Sequence, residues 1–104
     1  MNDINDLKSR VFELQKGLLE LGPVMRGSVT MIGNKKKQPH FSVSMEGKTR
    51  LVYLGEKRKA EALEYTENYK RLMEIVQEMT RVNMQILKLQ GQLDKQNYRD
   101  DASK

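Results

Sequence analysis

The sequence has no cysteine, no tryptophan, a single histidine and two prolines, and only 6% of its residues are aromatic. Without cysteine there is no disulfide, no thiolate metal site and no cysteine nucleophile. One histidine rules out a multi-histidine metal site within one chain. No run of 18 apolar residues occurs, so no segment reads as a membrane-spanning helix. The first residues do not run from a basic stretch into an apolar one. Lacking that leader pattern, the chain is expected to be cytoplasmic. No metal, cofactor or catalytic group is expected.

What is present points to shape and charge. The chain has 104 residues, which suits one domain. Charged residues make up 32% and the hydrophobic set 38%, a balance that favours surface over a thick core. Ile4, Leu7, Val11, Leu14, Leu18 and Leu21 step by three and four, an unbroken heptad seam. A helix over residues 4–21 is expected, capped by Asn2 or Asp3 and stopped by Gly22-Pro23. Phe12 and Leu19 lie off the seam and widen its apolar face.

The period then changes. Ser28–Ile32 is rich in β-branched residues, and Phe41–Met45 alternates apolar with polar. Glu46-Gly47 has the chemistry of a hairpin turn, and Thr49–Leu54 follows as a third strand. From about Glu56 to Gln96 the period returns to helix. Ala62, Tyr65, Tyr69, Leu72, Val76, Met79, Asn83, Ile86, Gln90 and Leu93 form a second seam. Asn83 is a candidate for fixing register between paired helices; the bland alternative is a polar residue facing water.

The expected fold is therefore α+β: an N-terminal helix, a three-stranded antiparallel β-meander and a long C-terminal helix. The helices form an antiparallel hairpin capped by the small sheet. One domain covers residues 1–96, with a disordered tail over 97–104. At about 1.5 Å per residue the helices measure roughly 28 and 60 Å. If both start from the sheet, Leu21 meets Ala62 or Tyr65, and Ile4 meets Met79. Val82, Ile86, Leu87, Leu89 and Leu93 then lack an intrachain partner. Either the long helix folds back near Asn83, or a second copy covers Val82, Asn83, Ile86, Leu89 and Leu93. A two-fold homodimer is the expectation.

Charge is uneven along the chain. Residues 26–59 hold nine basic groups against two acids, an excess of +7, while the remainder of the chain is −2. The nine are Arg26, Lys35, Lys36, Lys37, Lys48, Arg50, Lys57, Arg58 and Lys59. A β-hairpin with basic tips can straddle a nucleic-acid groove, DNA ahead of RNA. Lysines at loop tips also aid solubility and block edge-to-edge strand pairing. His40 reads as a structural residue, because no serine or carboxylate constellation accompanies it. Tyr53, Tyr65 and Tyr69 can stack on bases but more often pack. The seven methionines sit mostly at core-like positions and suit an adaptable interface. Gly47-Lys48-Thr49 ends like a phosphate-binding loop, yet Ser42 stands where that motif needs glycine.

Several short motifs occur in a recognisable order. They are Leu21-Gly22-Pro23-Val24-Met25-Arg26-Gly27-Ser28-Val29, Pro39-His40-Phe41, Glu46-Gly47-Lys48-Thr49, Val52-Tyr53-Leu54 and, in the long helix, Arg81-Val82-Asn83. This order resembles a bacterial family of small proteins of unknown function, often encoded beside transposases or on mobile elements. The likeness runs over roughly residues 10–90. Many of that family's members carry cysteines between the first two strands, in a pattern that looks metal-binding. Here that loop is Gly33-Asn34-Lys35-Lys36-Lys37-Gln38 and offers no thiolate. The resemblance implies DNA-related work and identifies no site. The expected function is non-enzymatic binding of nucleic acid, as an accessory factor of a mobile element. The alternative is a scaffold or inhibitor that docks a protein, such as a recombinase, on the exposed long helix.

Overall fold

The computed structural model describes residues 3–102, and side-chain surroundings for residues 3–95. The element order is α1 (Ile4–Glu20), β1 (Ser28–Ile32), β2 (Gln38–Met45), β3 (Lys48–Tyr53) and α2 (Gly55–Ala102). The α+β class and the meander follow the sequence patterning. α2 continues to Ala102, where an unstructured tail was expected from residue 97; the last two residues of that tail lie outside the described residues. No helix among the described residues is long and apolar enough to cross a membrane.

The chain divides into two compact units. One joins α1 to the part of α2 from Glu74 onward, and the other runs from Leu21 to Met73. In the first, α1 starts on Asp3. Its carboxylate accepts from Asp6 N at 2.8 Å and its carbonyl from Leu7 N at 3.1 Å, so the side chain satisfies a donor that the helix leaves free. Asp3→Ala should lower unfolding stability by about 0.5–2 kcal/mol. Urea unfolding followed by circular dichroism checks this; an unchanged midpoint would mean that water replaces the cap.

Leu7, Leu14, Val82 and Ile86 form the buried core of this unit, with Val11, Ile75, Met79 and Leu89 packed against it. Near the end of α1, a Cβ on Gly17 would stand 3.4 Å from Ile75 Cδ1, while Leu7 near its start shares the core with Val82 and Ile86, so the helices run antiparallel. This corrects the expected register. Val82, Ile86 and Leu89 are covered within the chain, and α1 meets α2 well beyond Ala62 and Tyr65. The cause is the connector after Gly22-Pro23, which does not turn sharply. It runs extended along α2, with Met25 N donating to Tyr65 O at 3.0 Å and Asn68 Nδ2 donating to Pro23 O at 2.9 Å. Those turns of α2 are occupied by residues 23–25, so α1 pairs with the later turns of the helix.

In the second unit the sheet order is β1-β2-β3, antiparallel throughout. β2 begins at Gln38, three residues before the expected Phe41, and so includes Pro39. Proline is rare in a central strand because it cannot donate to the ladder. Here the missing N–H faces β3 one position beyond the final rung, His40 with Tyr53, where the carbonyl of Pro39 still accepts from Leu54 N at 3.0 Å. Pro39 is fully buried and Phe41 nearly so. Phe41 stands beside Val29 on one side and Val52 on the other, an apolar row across the sheet. Glu46 and Gly47, with φ of 53° and 77°, make the two-residue turn that matches strand twist.

Candidate nucleic-acid interface

All nine basic residues of the expected site lie in the unit from Leu21 to Met73. The topology separates them into two groups. Lys35, Lys36 and Lys37 lie in the β1–β2 connection, at the sheet end where Ile32 pairs with Gln38. β3 finishes at the same end, because Tyr53 pairs with His40, and α2 starts two residues later. The first five residues of α2 bring Lys57, Arg58 and Lys59 there. Lys48 and Arg50 belong to the opposite end, beside the Glu46-Gly47 turn. Arg26 joins them, its Nη2 donating to Ser44 O at 2.7 Å. Seven steps of β2 separate the ends, roughly 23 Å at about 3.3 Å per residue. That is wider than a major groove of about 12 Å. The single basic hairpin read from sequence is thus two basic ends, six residues at one and three at the other.

Most of these charges are available. Among the described residues only Arg50 of the nine is ion-paired, to Glu46 at 3.8 Å on the surface. An exposed pair of this kind holds its partner weakly. Lys35, Lys36, Lys37, Lys48, Lys57 and Arg58 are exposed, and Lys59 is half-buried. Arg58 also lines a hollow of about 160 Å³ with Met25, Leu54, Glu61, Ala62 and Tyr65, so part of its stem packs.

His40 is engaged in structure. Its Nδ1 lies 2.9 Å from Gln38 O, and its ring meets Tyr53 edge-on at 5.5 Å. Tyr53 is exposed on the same sheet face, whereas Tyr65 lines the hollow and Tyr69 is half-buried in α2. Tyr53 is the one candidate base-stacking residue on the sheet. Met31, Met45, Met73 and Met84 are exposed, which corrects the core-like placement expected for the methionines. Of the residues assigned to self-association, Val82 and Ile86 are core, Leu89 packs against that core, and Asn83 and Leu93 are exposed. Asn83 therefore contributes nothing to the seam between α1 and α2.

Sequence reading missed the outer edge of β3. All six of its residues are exposed, among them Leu51, Val52 and Tyr53. The alternation Thr49-Leu51-Tyr53 was visible, but strand order was needed to show that nothing in the sheet covers it. No metal-holding group of carboxylates and imidazole occurs among the described residues. No family model, curated protein or solved structure matches the chain.

Proposed function

We propose that this chain is a non-enzymatic nucleic-acid-binding protein, acting on DNA ahead of RNA through the basic ends of its sheet. The observation that carries this reading is the concentration of nine basic groups and two acids in residues 26–59, eight of the nine free of ion pairs among the described residues. Lys35, Lys36 and Lys37 with Lys57, Arg58 and Lys59 form the stronger end. Arg26, Lys48 and Arg50 form the weaker one. Such contacts neutralise phosphates and set position without reading bases. Accessory work at a mobile element is the setting that the family resemblance suggests.

The test is a salt titration of labelled duplex and single-stranded DNA. Affinity should fall as salt rises, with a slope near −0.9 per phosphate contact on duplex and about −0.7 on single strands. Changing Lys35, Lys36 and Lys37 together to serine should make the slope shallower by about two to three units. Helix content should not change, because an exposed connection adds little to the core. An unchanged slope would move the site away from that connection.

A second reading has its own observation. Met84 and Leu87 on α2 are 64% and 67% exposed, an apolar pair at helical spacing that suits a protein partner. Failure of the intact chain to bind any duplex or single strand at low salt would favour it.

A further inference from the structure

β3 is an edge strand, and its hydrogen-bonding phase is set by the register. A two-residue turn closes on a rung whose residues exchange both hydrogen bonds, here Met45 with Lys48. Rungs alternate from there, so Lys48, Arg50 and Val52 bond to β2. The bond from Leu54 N to Pro39 O continues the same phase one rung on. The N–H and C=O groups of Thr49, Leu51 and Tyr53 therefore point outward, off the open edge. Edges of this kind are templates for another strand unless something blocks them.

We infer that β3 pairs antiparallel with β3 of a second copy of this chain, about a two-fold axis at Leu51, joining two three-stranded sheets into one. The sequence of outward groups is its own complement. Centred on Leu51, Leu51 faces Leu51 and Thr49 faces Tyr53 on either side, so all three outward residues find partners. Moving the centre to Arg50 would set two guanidinium groups directly opposite each other. Moving it to Val52 would leave Thr49 beyond the pairing. A shift of one residue would join opposite faces of the two sheets. Within the strands the centred register also sets no two charges directly opposite. Thr49, Leu51 and Tyr53 share their face with His40, Ser42 and Ser44, none of them an acid, a lysine or an arginine. On the other face Arg50 meets Val52. Beyond the strand Glu46 falls opposite Glu56 of the second copy, a like-charge approach that Arg50, 3.8 Å from Glu46, partly offsets. This pairing leaves both Lys35–Lys37 connections outside the new junction and does not depend on nucleic acid.

The experiment uses the intact chain without nucleic acid. Light scattering over a concentration series should reach the mass of two chains. Leu51→Lys places like charges opposite one another and should weaken association by about tenfold or more. Leu51 is exposed in the single chain, so the change should leave circular dichroism unaltered. Because the chain has no cysteine, a single introduced thiol reports the register. Leu51→Cys stands directly opposite its own copy, about 5.5 Å between Cα atoms, within disulfide reach. It should oxidise to a covalent dimer much faster than Val52→Cys, which faces Arg50. One-chain mass at every concentration would overturn the inference. So would a dimer untouched by Leu51→Lys, or equal crosslinking of the two cysteine variants, either of which places the contact elsewhere.

Discussion

Val82→Asp should unfold the helical hairpin rather than separate two chains. Val82 is 6% exposed and shares a core with Leu7, Leu14 and Ile86. A carboxylate there has no partner and loses most of its water. The expected loss is about 4 kcal/mol or more, near the upper end for single changes. Total stability for a domain is only about 5–15 kcal/mol, so α1 and the facing part of α2 should lose protection together. Leu14→Ala should give a milder loss of about 2–5 kcal/mol, from lost transfer energy and the cavity left behind. Leu93→Asp is the contrast. Leu93 is 50% exposed, and its change should stay within about 0.5 kcal/mol. Denaturant unfolding of the three variants, with mass measured alongside, decides the matter. A Val82→Asp chain that stays folded but drops from dimer to single chain would restore the stripe to a role between copies.

Gly27→Ala is the second large effect expected. Gly27 has φ of +151°, a region that side chains rarely adopt. A Cβ there would stand 2.5 Å from Phe41 Cζ and 2.6 Å from Ser42 O. The ring of Phe41 is buried, and the carbonyl is backbone, so neither can move aside freely. Backbone strain of about 1–3 kcal/mol adds to an overpacking cost of about 1–3 kcal/mol. Gly47→Ala serves as the control. Gly47 also has positive φ, at +77°, but nothing lies within 4 Å of its added Cβ. It should lose only about 1–2 kcal/mol, the left-handed penalty by itself. Thermal melting should show the larger drop for Gly27→Ala. Equal drops would mean that the approach of Gly27 to Phe41 costs nothing beyond backbone strain.

Several features were legible in the residues alone. Helix and strand have different periods, so the shift from threes and fours at Leu21 to alternation at Phe41, and back again after Gly55, marks the element types. Hairpin chemistry at Glu46-Gly47 placed the turn because a positive φ at the second residue suits glycine. The basic excess over residues 26–59 was equally visible, being a matter of counting. None of these depends on a distant contact.

Tertiary structure decided the pairings. The heptad seam on α2 is continuous, so it carries no mark of which turns face α1. That choice came from residues 23–25, whose backbone bonds to Asn68 and Tyr65 occupy the earlier turns. Their extended course left Val82 and Ile86 to Leu7 and Leu14. The start of β2 was hidden for a related reason. Pro39 argues against a strand by its own chemistry, and only its place beyond the final rung with β3 makes its missing N–H harmless. Likewise the basic residues are neighbours in sequence but fall at two ends of a sheet, because an antiparallel meander sends successive connections to opposite ends. Local patterning depends on each residue's own size, charge and backbone preference, whereas register, strand order and separation in space arise only when distant segments compete for the same surface.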